Sequence, residues 1–293
     1  MNKASEWRVE LAGELSEPYL SHGSVRMVCL GGSAARGISD DYSDLDIIVY
    51  WDVMDGEFIE SCPLERSFGL ERTALLSQHP GTFIESYHIK GLKVDFGHST
   101  LAQWEEWVAP LLEERSSEPE LLSMVGGYLA SIPFKGREIF SHWKERLEEY
   151  PDELAKKVIG KNMGIYVKGY LLHQCLERGD HLAWQDGMCS MLKKILNITA
   201  AINGLYYSAD EPRWVDYQLG RMSVRAEGLT GGNIAWMLEN PGAASEDMLY
   251  RVLDDTLGLV AGRFPEFTEK VAGKRERLAS FEVKACRERP ETG

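Results

Sequence analysis

Apolar positions in the first hundred residues follow two periods. Trp7, Leu11 and Leu15 recur at helical spacing and predict an amphipathic helix over 5–20. Residues 25–30 form a short apolar run that ends in Gly31-Gly32, the pattern of a buried strand stopping at a glycine turn. Residues 45–51, LDIIVYW, are β-branched and aromatic and predict a second strand. Two further strand-like runs, 83–89 and 92–98, flank Lys90-Gly91. A two-residue connection containing glycine predicts a β-hairpin there.

Beyond residue 100 the period lengthens. Trp104, Trp107, Val108, Leu111 and Leu112 mark one helix, and further helices are predicted over 121–131, 152–177, 183–203 and 245–271. Pro133 and Gly136 punctuate the passage between the two patterns and place a boundary near Ile132. The fold class expected is α+β: a mixed sheet with helices over 1–132, followed by an all-α domain over 133–293. A length of 293 residues, against roughly 150 per domain, agrees with two domains. The charged tail 284–293, which contains Pro290, is expected to fray.

Composition narrows the possibilities. The chain is 44% hydrophobic and 27% charged, as in ordinary globular proteins, and contains no run of about 18 apolar residues for a membrane span. The N-terminus lacks an apolar core of the signal-peptide kind, so a cytoplasmic protein is expected. Five cysteines without a CxxC pair predict free thiols rather than a disulfide framework or a zinc knuckle. The seven histidines show no metal-ligand spacing. A net charge of −14 opposes nonspecific nucleic-acid binding, which needs clustered Lys and Arg, and permits a cationic partner.

The chemistry concentrates in Leu30-Gly31-Gly32-Ser33-Ala34-Ala35-Arg36-Gly37 and Ser43-Asp44-Leu45-Asp46. Glycines let a backbone turn sharply and approach a ligand closely. Ser33 offers a hydroxyl and an N–H at an expected helix start, a favourable place for phosphate oxygens. Asp44 and Asp46 are two residues apart at the start of a strand, so their carboxylates share a face. Neighbouring carboxylates raise each other's pKa, a conflict that a divalent cation resolves. Oxygen ligands suit Mg²⁺. Asp95, set among apolar strand residues in the hairpin's second arm, completes a three-carboxylate cluster if its strand lies beside 45–51. Such a cluster suits two metal ions.

GGSAARG, then SDLDIIVYW, then an isolated VDF aspartate resembles the DNA polymerase β-type nucleotidyltransferase superfamily over about residues 25–98. Gly32 and Ser33 match the superfamily's glycine-serine turn, Asp44 and Asp46 its metal-binding pair, and Asp95 its third acid. The two-domain layout, with Asn203–Tyr207 and Pro212–Trp214 in the second half, is similar to the kanamycin, streptomycin and lincosamide adenylyltransferase-like group. This resemblance implies a catalytic domain over 1–132 and a helical domain over 133–293 that binds substrate or nucleotide. It implies a Mg²⁺-dependent enzyme that moves a nucleoside monophosphate from ATP or another nucleoside triphosphate to a hydroxyl and releases pyrophosphate. Catalytic and metal roles fall on Asp44, Asp46 and Asp95, and nucleotide contacts on Gly31, Gly32 and Ser33. The acceptor expected is a small molecule such as an aminoglycoside-like antibiotic. The alternatives are a protein or tRNA acceptor, or a nucleotide-binding regulatory module without turnover.

Several further residues carry two readings. Arg36 either contacts phosphates or orients the glycine turn. Lys161 and Lys168, seven apart, share a face of the expected helix 152–177 and either bind phosphates or form a solvated face. Asp95 and Glu85 are both candidates for the general base, with a solvated edge-strand carboxylate the plainer reading of Glu85. His98 reads as a structural histidine, and Trp104, Trp107, Trp184, Trp214 and Trp236 read as core residues.

Overall fold

Period-two alternation builds a sheet, and the sheet positions every acid singled out above. In a computed structural model described over residues 1–77 and 81–280, the strands are β1 (Val25–Leu30), β2 (Leu45–Trp51), β3 (Arg72–Leu76), β4 (Phe83–Ile89), β5 (Leu92–Thr100) and β6 (Ile132–Lys135). Among the described residues these form one mixed sheet in the order β3-β4-β5-β2-β1-β6. The β2–β5 pair is parallel, and β1–β2, β1–β6, β3–β4 and β4–β5 are antiparallel. Tail 284–293, including Cys286, lies outside the described residues.

Leu45, Ile47, Val49 and Trp51 of β2 join Val94 and Phe96 of β5 in the hydrophobic core, together with Ala12, Leu15 and Tyr19. Fully burying side chains of this size stabilises by about 1.5–3 kcal/mol each. Alternation then sends Asp46, Ile48 and Tyr50 to the opposite face. At one end of that face Tyr50 meets the buried Trp104 edge-on, and Trp104 stacks on Tyr128 with ring centroids 4.4 Å apart. Trp104 belongs to helix Leu101–Glu114, which follows β5 directly through a Thr100–Gln103 capping box. The other end of the face is left to the acids.

Several expectations change. The helix expected over 5–20 is two helices, α1 (Lys3–Leu15) and α2 (Glu17–Leu20), because Pro18 starts a new one. Its buried stripe is Ser5, Arg8, Ala12, Leu15 and Tyr19, and Trp7 is 44% exposed. Strands β3 and β6 were not expected. Because β6 pairs with β1, residue 132 lies inside the sheet. Contacts divide the chain into one unit of Met1–Ser116 with Ser123–Glu149 and another of Ser117–Leu122 with the chain from Tyr150 onward.

In the second unit the helix expected over 152–177 ends at Asn162, and Gly164 and Gly169 (φ +81°) intervene before a π-helical turn, Tyr170–Cys175. The helix expected over 245–271 is Ala243–Arg263 and Thr268–Ser280, separated at Phe264-Pro265 because proline cannot donate the next helical hydrogen bond. Trp104 and Trp184 are core as expected, whereas Trp214 and Trp236 are each 38% exposed. Among the described residues Cys29, Cys62, Cys175 and Cys189 are unbridged, and no helix is long and apolar enough to cross a membrane.

Candidate active site

Strand β1 carries the chain to Gly31, whose N–H donates to the Asp46 carbonyl at 2.8 Å and extends the β1–β2 ladder by one rung. Gly32 then takes φ +63°. A Cβ on Gly32 would stand against Asp46 Oδ2, well inside the 3.0 Å that real Cβ atoms keep. Glycine therefore does two things here: it adopts the left-handed backbone, and it lets the turn lie directly on a carboxylate. The short helix α3 (Gly32–Arg36) follows and closes at Gly37, φ +75°. Arg36 donates from a terminal guanidinium nitrogen to the Gly32 carbonyl at 2.8 Å, so it orients the turn. Ser33 is buried, and its hydroxyl oxygen lies 3.2 Å from Ser39 Oγ.

The parallel register pairs Asp46 with Asp95 across β2 and β5, so both carboxylates rise from the same face. The Asp46 carboxyl is pushed up from its ordinary 3.8 to about 6, first by burial and then by the charges of Asp44 and Asp95. Lys93 and Arg36 oppose that rise. The charges of Asp44 and Asp95 thus both reach the Asp46 carboxyl. Asp95 is held from two sides: Ser86 Oγ donates to Oδ1 at 2.7 Å, and Lys93 Nζ pairs with Oδ2 at 2.5 Å.

Sequence reasoning missed two cations. Arg8 is buried and grips the Ser43 carbonyl through Nε (3.2 Å) and a terminal nitrogen (3.0 Å), fixing the residue just before Asp44. Nothing in the 5–20 helical pattern marks it. Lys93 was detectable: it lies two residues before Asp95, so alternation places both on one face. Beside the acids a groove of about 470 Å³ is lined by Trp7, Arg8, Tyr42, Asp44, Lys90 and Lys93, among other residues. Tyr42 is 96% exposed along it.

Asp44, Asp46 and Asp95 supply only carboxylate oxygens, a donor type that a hard divalent cation prefers. A side chain at position 32 would stand against the Asp46 carboxylate, so glycine keeps its own atoms clear of that acid. The residues fit such an ion in donor type and charge. Among the described residues, however, no three His, Cys, Asp or Glu side chains stand as a ready-made metal cage. The ammonium of Lys93 already occupies Asp95.

Glu85 is not the solvated edge carboxylate expected. It is 0% exposed on the opposite face of the sheet, where it accepts from Tyr19, from Tyr87 (2.9 Å), from Arg72 (3.0 Å) and from His98 Nε2 (3.0 Å). Trp51 Nε1 donates to His98 Nδ1 at 3.2 Å, which assigns the imidazole proton to Nε2 and aims it at Glu85. Burial raises the Glu85 carboxyl, but hydrogen bonds led by His98 outweigh burial and hold it below its usual range. This saturated hub cannot serve a substrate on the acid face. His98 is structural, as expected.

Lys161 and Lys168 do not share a helical face, since the helix between them ends at Asn162. Lys161 pairs with Glu118 (3.0 Å) and Lys168 with Asp247 (2.7 Å), all within the second unit.

Residues 116–215 match a family described as a domain of unknown function, DUF4037. Among solved structures the chain is similar to a nucleotidyltransferase-like protein from Exiguobacterium sibiricum, at 12% identity and a TM-score of 0.34. That match covers 92% of this chain and 81% of the other. No curated protein matches.

Proposed function

We propose that the chain is a nucleotidyltransferase that moves a nucleoside monophosphate, AMP from ATP, to a hydroxyl of a small-molecule acceptor. One observation carries this reading: the β2–β5 register pairs Asp46 with Asp95, and Asp46 lies against the Gly32 turn with the charges of Asp44 and Asp95 both reaching it. A stable fold gains nothing from that collision of carboxylates, whereas a site for a metal-bound triphosphate requires it.

Asp44, Asp46 and Asp95 would hold Mg²⁺, which when bound neutralises charge on the triphosphate and leaving pyrophosphate. The glycine turn admits phosphate oxygens close to the backbone. Arg36 keeps that turn in place and adds positive potential at Asp46. The acceptor oxygen forms a bond to the α-phosphorus as the bond to pyrophosphate breaks, and the hydroxyl proton passes to Asp95, the carboxylate candidate left on this face. The groove beside Asp44, about 470 Å³, is of a size that suits a small molecule. The chain's contribution is positioning and charge compensation.

The test is incubation with α-labelled ATP, Mg²⁺ and a panel of hydroxylated small molecules, reading both label transfer and pyrophosphate. Transfer to one acceptor, lost in Asp46→Asn, is the expected result. Transfer undiminished in Asp44→Asn/Asp46→Asn would remove the acids from the mechanism.

A further inference from the structure

The acid cluster brings its own cation. Lys93 and Asp95 leave β5 on the same face, two residues apart, and the lysine ammonium sits 2.5 Å from Asp95 Oδ2. Its charge reaches further than that contact, since Asp44 and Asp46 both act on it. The side chain is half exposed (47%) and also lines the groove that runs past Asp44 toward Tyr42 and Lys90. It therefore has open space to enter if it leaves the carboxylate.

We propose that Lys93 is a placeholder: its ammonium occupies the cation position at Asp95 in the resting protein, and a divalent ion entering the acid cluster displaces it into the adjoining groove. The inference rests on the acid site proposed above and adds an exchange step to it. Without Lys93 the charge of the acids would fall to Arg36 at Asp46, and one ammonium cannot neutralise all three carboxylates. The exchange makes metal entry a competition rather than a simple addition. It also moves a positive charge from the acids to the groove, next to whatever molecule lies there.

The test is Mn²⁺ binding to the full chain by titration calorimetry, together with amine labelling of Lys93 read by mass spectrometry. Replacing the competitor in Lys93→Met should tighten Mn²⁺ binding by about ten-fold. Lys93→Arg, which keeps an ion pair with Asp95, should stay within about two-fold of the parent. Lys90→Met removes a neighbouring charge from the same groove without touching an acid, and should change little. In the parent protein, Mn²⁺ should speed labelling at Lys93 and leave Lys90 unaffected.

If Lys93→Met binds Mn²⁺ no more tightly than the parent, while Asp46→Asn abolishes the binding of both, the placeholder is wrong and the acid site stands. Equal gains from Lys93→Met and Lys90→Met, with labelling unmoved by metal, would reduce the effect to general electrostatics and overturn the exchange. No Mn²⁺ binding by either the parent or Lys93→Met would overturn the acid site itself.

Discussion

Asp46 is held in the fold against its own charge, and the cost is open to measurement. Its carboxyl is raised from 3.8 to about 6, burial being the largest cause and Asp44 and Asp95 the next. A folded value above the unfolded one means that the folded protein binds the proton more tightly. The contribution to stability is therefore complete below 3.8 and is lost as pH rises through about 6. At pH 7 the loss amounts to about 3 kcal/mol, and at pH 4 only to about 0.5 kcal/mol. Asp46→Asn keeps the shape and removes the charge. With chelator present, the variant should unfold at a urea concentration about 1 M higher than the parent at pH 7, given ordinary dependence on denaturant. The two curves should nearly coincide at pH 4. A variant less stable than the parent at pH 7, or a gap that does not change between the two pH values, would refute the reasoning.

Four other outcomes follow from the same geometry. Gly32→Ala faces both a left-handed backbone and the Asp46 carboxylate, whereas Gly69 (φ +67°) has open space around it. Denaturant midpoints should show Gly69→Ala costing about 1 kcal/mol and Gly32→Ala about 2–3 kcal/mol. A displaced Asp46 in Gly32→Ala should also cost roughly a hundred-fold in transferase rate. Mn²⁺ should raise the melting temperature of the parent and not of Asp46→Asn, as a thermal shift assay would record. Glu85→Gln should destabilise by about 3 kcal/mol at pH 7, because it strips the charge that Arg72 faces in a buried site. Glu85 is held low, so its contribution is present above the unfolded value and fades as pH falls through the folded one; the variant should approach the parent in acid. Arg8→Met should lose about 1–2 kcal/mol and weaken Mn²⁺ binding, since the Ser43 carbonyl loses both donors; Arg8→Lys should rescue it incompletely, lacking the planar fork.

The parts of this fold legible in the sequence are those fixed by local pattern. LDIIVYW became β2, and the hairpin about Lys90-Gly91 became β4 and β5, because β-branched residues and a glycine turn act over a few positions. The β2–β5 pairing of Asp46 with Asp95 needed more than local pattern: the adjacency of β5 had to be supplied, and Asp44 lies just before β2. Strand β6, four residues with a proline, carries too little pattern of its own and exists because β1 offers it an edge. Helix ends at Leu15, Asn162 and Arg263 depended on proline and glycine inside apolar stripes that otherwise read as continuous. Arg8 was invisible because its partners are main-chain carbonyls, including one 35 residues away. Glu85 was misjudged because a polar residue on an outer strand suggests solvent, and its four donors come from α2, β3, β4 and β5.

The two faces of β5 separate structural charge from working charge. Toward the core, Glu85 receives four donors, and its carboxyl is held low despite complete burial. Every polar atom there has a partner within the fold, so the network rigidifies the sheet and has no valence left for a ligand. On the other face Asp46 is raised instead of lowered, first by burial and then by the charges of Asp44 and Asp95, while the lysine that opposes them is bonded to Asp95. The chain thus compensates one carboxylate fully and leaves another in deficit two strands across the sheet. Random imperfection would not place the deficit under a glycine turn whose own left-handed residue admits no side chain against the acid. The cation site proposed above, which would have to accept an ion and release it, could not be saturated from within. The deficit at Asp46, and not the mere number of acids, is what marks this face for chemistry.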